Sequence, residues 1–175
     1  MLISRGWIVF LLTFPGIMVH ELAHQLFCVL VGVRVRKVCY LRLGRTSGYV
    51  LHDQPRAAWK QLFIGIGPFI VNTAVGAAIA YPGVTALFQH RAAEADYLLV
   101  WLGIAIAMHS FPSTDDGANI WRALWTKGTP ILVRLVSLPI VALIYLGALG
   151  SLLWLDLVYG VAVVLLPRYL LRLLS

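Results

Sequence analysis

The residues that could carry out chemistry begin with His20-Glu21-Leu22-Ala23-His24, which is the pattern HExxH. On a helix, positions i and i+4 lie on one face, so His20 and His24 can bind the same metal ion. Imidazole nitrogen is a good ligand for zinc, and the expected cofactor is therefore Zn²⁺. Glu21 is rotated by about 100° around such a helix, so we expect it to activate a metal-bound water as the catalytic base.

A catalytic zinc ion takes three protein ligands and leaves one position open for water. The best candidates for the third ligand are the adjacent Asp115 and Asp116, which follow a later apolar segment. An aspartate after Pro112 could instead cap the start of a helix, and one aspartate could cap while the other binds metal. Cys28 lies one turn beyond His24 on the same face and is an alternative ligand.

The composition indicates that these residues lie in a membrane protein. The chain has 175 residues, of which 61% are hydrophobic and 12% are charged, about half the charged fraction of a soluble domain. Ionisable groups within an apolar segment are costly and usually mark function, although a polar cluster can also hold helices together. The net charge of +7 does not indicate nucleic acid as a partner, because most basic residues lie between apolar runs.

The apolar runs predict an all-α membrane protein with about five transmembrane helices. The first three are expected at about 3–33, 62–81 and 97–111, with a kink near Pro15 and with Pro82-Gly83 ending the second. The region 128–175 is expected to hold two more, separated by a turn near 147–151. Apolar and basic residues alternate in the loop 34–60, which predicts a short β-like hairpin that could pair with an extended peptide or merely link two helices.

The basic residues predict the orientation in the membrane. With five crossings, twelve of the fourteen lysines and arginines lie on one side, together with the C-terminus. The positive-inside rule puts that side in the cytoplasm, and the expected location is the cell (inner) membrane. Only Arg5 and Arg91 are expected on the other side.

Three motifs in this order resemble the site-2 protease family of intramembrane zinc metalloproteases. They are HExxH at 20–24, Gly67-Pro68 followed by Asn72, and Asp116-Gly117. The resemblance implies a three-helix metalloprotease core within 1–127. It also implies zinc ligands His20, His24 and Asp116, with Glu21 catalytic.

Two departures from the family pattern concern the residues expected to contact substrate. Three residues, rather than two, separate Gly67-Pro68 from Asn72, and His109 stands near the position of the family's usual asparagine before Asp-Gly. We expect Asn72 and His109 to bind substrate or to support an oxyanion, with helix packing as the alternative for each and support of the zinc ligands as a further alternative for His109.

The expected function is hydrolysis of peptide bonds in or near the transmembrane segments of membrane proteins. A transmembrane protein is then the substrate, and the lipid bilayer is the other partner. The alternatives are a membrane protein that binds or transports metal, an inactive scaffold that binds helices, and a different membrane hydrolase that contains HExxH, such as a prenyl-protein protease.

Overall fold

The computed structural model describes residues 2–42 and 47–174. Its elements are helix α1 (Leu2–Leu30), strands β1 (Val35–Cys39) and β2 (Tyr49–His52), and helices α2 (Ala58–Phe88), α3 (Glu94–Ala107), α4 (Thr114–Leu124), α5 (Ile131–Gly150) and α6 (Leu155–Leu174). One turn of 3-10 helix, Ser151–Leu153, separates α5 from α6. The prediction of a mostly helical protein with a hairpin after the first helix is confirmed. Gly44 and Arg45 of the predicted hairpin loop lie outside the described residues.

Three segments of the described chain are long and apolar enough to cross a membrane. They are Trp7–Leu30, Ala58–Phe88 and Ile131–Leu153. The expected five separate crossings are not shown. Helices α3 and α4 have only 14 and 11 residues, and at about 1.5 Å per residue neither one alone spans a hydrocarbon core of about 30 Å.

Helix α2 extends past the proline that was expected to end it. It continues through Pro82 to Phe88 rather than stopping near Tyr81. A proline removes one backbone hydrogen bond, and packing against neighbouring helices makes that loss tolerable in membrane proteins. Gly83 packs so closely on the backbone of Asp96 in α3 that the extra turns of α2 are held in place.

The third predicted segment is interrupted in the structure. Helix α3 covers 94–107 rather than 97–111, and α4 begins after the N-cap residue Ser113. The two helices run in sequence from one end of the bundle to the other. The start of α2 packs against the end of α4, where Ala58 and Leu62 share a core cluster with Leu124. We call this the hairpin end, because Lys60 near the start of α2 also donates to the carbonyl of Val31 just before the hairpin.

Helix α5 runs antiparallel to α4, from the hairpin end to the middle of the bundle. Arg134 near its start lies 5.4 Å from the Trp125 ring centroid at the end of α4. At the other end of α5, Gly147 faces Phe111, in the segment between α3 and α4. Helix α5 therefore ends at the level of the α3–α4 break.

Helix α6 continues from the middle of the bundle to the end opposite the hairpin. The Tyr159 hydroxyl lies 2.7 Å from the Thr73 hydroxyl, and further along α6 the Tyr169 ring lies 6.1 Å from the Phe88 ring at the end of α2. The sequence predicted the C-terminus on the same side as the basic loops, whereas α6 ends at the opposite end of the bundle. The difference arises because α5 and α6 run in the same direction rather than forming two antiparallel crossings.

The hairpin pairs β1 and β2 in antiparallel register, with Val38 opposite Val50. The register shifts between Val35 and Lys37. At this irregularity the exposed Arg36 side chain donates from Nε to Asp53 Oδ1 at 2.5 Å. The Arg36 guanidinium lowers the pKa of the Asp53 carboxyl from its usual value. The hairpin is also joined to α1, because the Tyr40 hydroxyl donates to the side-chain oxygen of Gln25.

Small residues allow α2 and α3 to pack at close range. A Cβ added to Gly103 would lie 2.5 Å from the Ala80 Cβ and 2.6 Å from the Gly76 oxygen. Gly76 and Ala80 on α2 are four residues apart, as are Gly103 and Ala107 on α3. Such small residues at spacing four let helix backbones approach closely in membranes.

Candidate metal centre

The two histidines of HExxH project from α1 with their rings held by backbone carbonyls. His20 Nδ1 lies 2.7 Å from the carbonyl oxygen of His109, and His24 Nδ1 lies 2.9 Å from that of Ile64. A carbonyl only accepts, so each Nδ1 carries the proton and donates it. Each Nε2 is then left with a free lone pair, and the two Nε2 atoms are 3.2 Å apart. Histidine ligands to metals are held in this way in known sites.

Asp116 is brought to the histidines by the start of α4. Its Oδ1 lies 3.3 Å from His24 Nε2, and its Oδ2 lies 3.9 Å from His20 Nε2. Its Oδ2 also accepts from Ser113, at 2.8 Å from the backbone nitrogen and 2.6 Å from the hydroxyl. The sequence allowed one aspartate to cap the helix while the other faced the histidines. In the structure Ser113 is the N-cap, and Asp116 both completes the capping box with it and faces the histidines.

The spacing of these three side chains fits a tetrahedral metal ion. Their ligand atoms all lie within 4.8 Å of one another. With zinc–nitrogen bonds of about 2.0–2.1 Å, neighbouring ligands of a tetrahedral site are about 3.3–3.4 Å apart. Two unprotonated nitrogens and a carboxylate repel one another unless a proton or a metal cation lies between them, so this group could hold a metal ion. The geometry alone does not identify that ion as zinc.

Glu21 lies under the hairpin beside this group. Its side chain is 9% exposed. A Cβ added to Gly48, just before β2, would lie 2.6 Å from Glu21 Cγ and 2.9 Å from Glu21 Oε1. The backbone at Gly48 therefore approaches the carboxylate at a distance that only glycine allows.

A cavity of about 720 Å³ contains the candidate site. Glu21 and the three candidate ligands line it, as do all four residues of β2 and the segments 108–109 and 111–116. The junction of α5 and α6 contributes Ser151 and Asp156 to the lining. Cavities of a few hundred to about 1,000 Å³ are typical of ligand sites in proteins.

Asn72 lies at a helix interface rather than on the cavity wall. It is completely buried. Its Nδ2 lies 3.0 Å from the carbonyl oxygen of Gly16, 3.1 Å from that of Ile106 and 3.2 Å from that of His109. These contacts match the helix-packing alternative for Asn72, and the expected contact with substrate stays a prediction.

His109 lines the cavity, and one of its ring nitrogens is engaged. Its Nδ1 lies 3.0 Å from the carbonyl oxygen of Ala105 and so donates to it. In the neutral ring Nε2 then accepts, and only the protonated imidazolium could donate from Nε2 to an oxyanion. The predicted oxyanion role therefore requires a charged His109, whereas binding a substrate N–H requires the neutral form.

The other candidates from the sequence lie outside the group of converging ligand atoms. Asp115 is exposed on the cavity wall, but its carboxylate is not part of the group found among the described residues. Cys28 is buried in an apolar cluster with Val33 and Ile64. Of the three candidates for the third ligand, Asp115, Asp116 and Cys28, the structure brings Asp116 to the histidines.

Two residues at the site were missed by sequence reasoning. Ser113 holds Asp116, and the pattern Ser113-x-x-Asp116 is a capping-box signature that could have revealed it. Gly48 contacts Glu21 across 27 positions of sequence, and a single glycine in a loop carries no signal of such a contact. The free carbonyl of Ile64 had a signal, because Pro68 four residues later cannot donate to it, whereas the carbonyl of His109 had none.

No protein-family model matches this chain, and neither a curated protein nor a solved structure matches it.

Proposed function

We propose that this protein is a zinc-dependent intramembrane endopeptidase of the site-2 protease type. The observation that carries the proposal is the convergence of His20, His24 and Asp116 beside Glu21 in one cavity. Two histidines on a membrane helix and a carboxylate from a distant helix form the three-ligand set that catalytic zinc sites use. The sequence motifs that resemble the family supply these same residues.

Zinc bound by these side chains would polarise a peptide carbonyl and make water a stronger nucleophile at neutral pH. Glu21 takes a proton from the attacking water and delivers it to the leaving amine nitrogen. The hairpin backbone at Gly48 packs on the Glu21 side chain and limits where its carboxylate can lie. The Nδ1–H bonds of His20 and His24 to carbonyls keep each Nε2 lone pair directed at the metal.

The substrate is a membrane-spanning segment that has locally unwound. A helical substrate satisfies its own backbone hydrogen bonds, so the scissile peptide bond is exposed only in extended chain. β2 lines the cavity and pairs with β1 on one side only among the described strands. A free strand edge binds an extended peptide through main-chain hydrogen bonds.

The membrane arrangement that the packing favours is four crossings rather than the expected five. The crossings are α1, α2, the pair α3–α4 and the pair α5–α6. Ten of the fourteen basic residues then belong to the hairpin end, and four belong to the other end. The positive-inside rule still puts the hairpin end in the cytoplasm.

The test compares wild-type protein with Glu21→Gln, His20→Ala and Asp116→Ala in proteoliposomes. The probes are single-spanning test proteins whose apolar segment contains Gly, Pro or Asn, because these residues make local unwinding easier. Wild type is expected to contain close to one zinc per chain and to cut these proteins in the membrane segment. In H₂¹⁸O the new carboxyl terminus gains the label, which identifies hydrolysis.

Glu21→Gln is expected to keep zinc and lose cleavage, whereas the ligand variants lose cleavage and bind zinc much more weakly, with a residual affinity that can still be measured. Wild type that takes up no zinc, or Glu21→Gln that still cleaves, would overturn the proposal. A metal carrier is distinguished by ⁶⁵Zn uptake into vesicles, since a carrier would keep its flux in Glu21→Gln. An inactive scaffold would bind the test proteins without producing labelled fragments.

A further inference from the structure

We propose that Asn72 is a positioning residue for the metal ligand His20. The inference rests on the proposed function, because it assigns a task within the same metal site. It differs from the substrate or oxyanion role expected from the sequence, since Asn72 acts through the backbone of another residue.

The link between Asn72 and His20 is the carbonyl group of His109. This oxygen accepts from His20 Nδ1 at 2.7 Å and lies 3.2 Å from Asn72 Nδ2. His109 lies just beyond the end of α3, so its carbonyl group is not part of a helical turn. A carbonyl in such a break can rotate unless side chains hold it, because the helix no longer fixes its direction. Asn72 therefore holds the group that orients the His20 ring.

The same amide fixes the helices that carry the ligand. Asn72 Nδ2 also lies 3.1 Å from the carbonyl oxygen of Ile106 near the end of α3 and 3.0 Å from that of Gly16 on α1. Gly16 is one helical turn before His20, so the two lie on the same face of α1. Asn72 on α2 thus joins the helix that carries His20 to the helix that supplies its carbonyl.

The neighbouring residue Thr73 provides a matched control. Its hydroxyl donates to the Ser110 hydroxyl at 3.2 Å and lies 2.7 Å from the Tyr159 hydroxyl. Thr73 therefore links α2 to the α3–α4 break and to α6 at a similar depth, but it does not contact the His109 carbonyl. Substitution of Thr73 tests the general effect of removing a buried hydrogen bond between helices.

His24 provides a second internal control. Its Nδ1 donates to the carbonyl of Ile64 within α2, which has no helical donor because the residue four positions later is Pro68. Asn72 has no contact with that carbonyl among its three backbone partners. Loss of the Asn72 amide should therefore weaken the binding of metal by His20 and leave the binding of metal by His24 unchanged.

The experiment measures Zn²⁺ affinity by competition with a chromophoric chelator on purified full-length protein. Asn72→Leu keeps the side-chain volume and removes the amide. It is expected to weaken zinc binding by about 10-fold or more, the usual effect of losing a group that orients a ligand. Thr73→Val is expected to stay within about 2-fold of wild type. In the Co²⁺ form, the visible absorption bands should change with Asn72→Leu and stay unchanged with Thr73→Val.

Double variants show whether the effect acts through His20. In the His20→Ala background, Asn72→Leu should cause no further loss of affinity, whereas in the His24→Ala background it should cause its full loss. Equal losses in both backgrounds, or unchanged affinity in Asn72→Leu, would overturn the inference. If Asn72→Leu does not fold, the same measurements are made on Asn72→Ala. Failure of wild type to bind zinc would count against the proposed function itself, which separates the two outcomes.

Discussion

At the scale of single residues, the carboxylate of Asp116 has two sets of partners. One oxygen faces His24, and the other accepts from the backbone and hydroxyl of Ser113. The capping contact limits the rotation of the side chain at the point where it meets the histidines. The start of α4 therefore orients the candidate third ligand as it begins the helix.

Ser113→Ala should weaken metal binding by about 10-fold, because Asp116 loses one of the groups that orient it. The loss of the helix cap should also lower the free energy of unfolding by about 1 kcal/mol. Zinc competition and thermal unfolding in detergent measure the two effects. Asp115→Asn is the control, and it should bind zinc as wild type does. Loss of zinc from Asp115→Asn would instead make Asp115 the ligand.

Gly48→Ala should abolish cleavage while zinc remains bound. The added methyl would lie 2.6 Å from Glu21 Cγ, so either the hairpin or the catalytic side chain must move. Metal analysis and the proteoliposome cleavage assay separate the two properties. Ser47→Ala adds no atom next to Glu21 and should retain activity. Full activity in Gly48→Ala would show that this close contact does not constrain Glu21.

At this scale, a contact can be predicted from the sequence when its two residues lie close together in the chain. His20 and His24 share a helix face, so the spacing alone was enough to bring them together. Asp116 was selected over Asp115 because it precedes Gly117, and the structure brings Asp116 to the histidines. The environment of Asn72 could not be predicted, because its partners are backbone carbonyls on α1 and beyond the end of α3.

At the scale of elements, the break between α3 and α4 leaves carbonyl groups without helical partners inside the bundle. Other donors satisfy them: His109 Nδ1 donates to Ala105, and both the backbone N–H and the hydroxyl of Ser110 donate to Ala107, at 3.1 and 2.7 Å. Unsatisfied backbone groups are costly in a membrane, so such a break is stable only where side chains or water replace the lost bonds. The sequence predicted a helix through this region because its apolar run continues to Phe111, and run length carries no information about such replacements.

Gly76→Leu should destabilise the packing of α2 on α3. The larger side chain would meet the Gly103 oxygen at 2.8 Å from its Cβ, and overpacking of this kind costs about 1–3 kcal/mol. Thermal unfolding in detergent measures the change. Ala78→Leu adds the same side chain on the exposed face of the same helix and should unfold near the wild-type temperature. Equal stability of the two variants would contradict the close packing.

At the scale of the whole molecule, the interrupted pairs α3–α4 and α5–α6 take the place of single continuous helices. The α3–α4 break and the α5–α6 junction both line the cavity. Irregular backbone within a membrane is tolerated where it is buried in protein or lines a water-filled space. Hydropathy could not reveal the α5–α6 arrangement, since an apolar run of this length fits either two crossings or one oblique and interrupted crossing.

The side of the C-terminus distinguishes four crossings from five. A C-terminal tag should be accessible from the same side as a label at Ala93→Cys, and a label at Lys37→Cys should react from the other side. Membrane-impermeant reagents on intact cells and inverted vesicles measure this, in a background where Cys28 and Cys39 are replaced. Accessibility of the tag from the Lys37 side would support five crossings.

The two ring-to-carbonyl bonds make metal loading and helix assembly thermodynamically linked. His20 and His24 belong to α1, their carbonyl partners belong to α2 and the end of α3, and Asp116 belongs to α4. A cation bound there would join α1 and α4 directly, and α2 and the end of α3 through the carbonyl bonds of the histidines, so it would bind the assembled bundle and not the separated helices. At a free metal concentration 100 times its dissociation constant it would stabilise that assembly by about 2.7 kcal/mol. Chelation should therefore lower the melting temperature of the whole bundle.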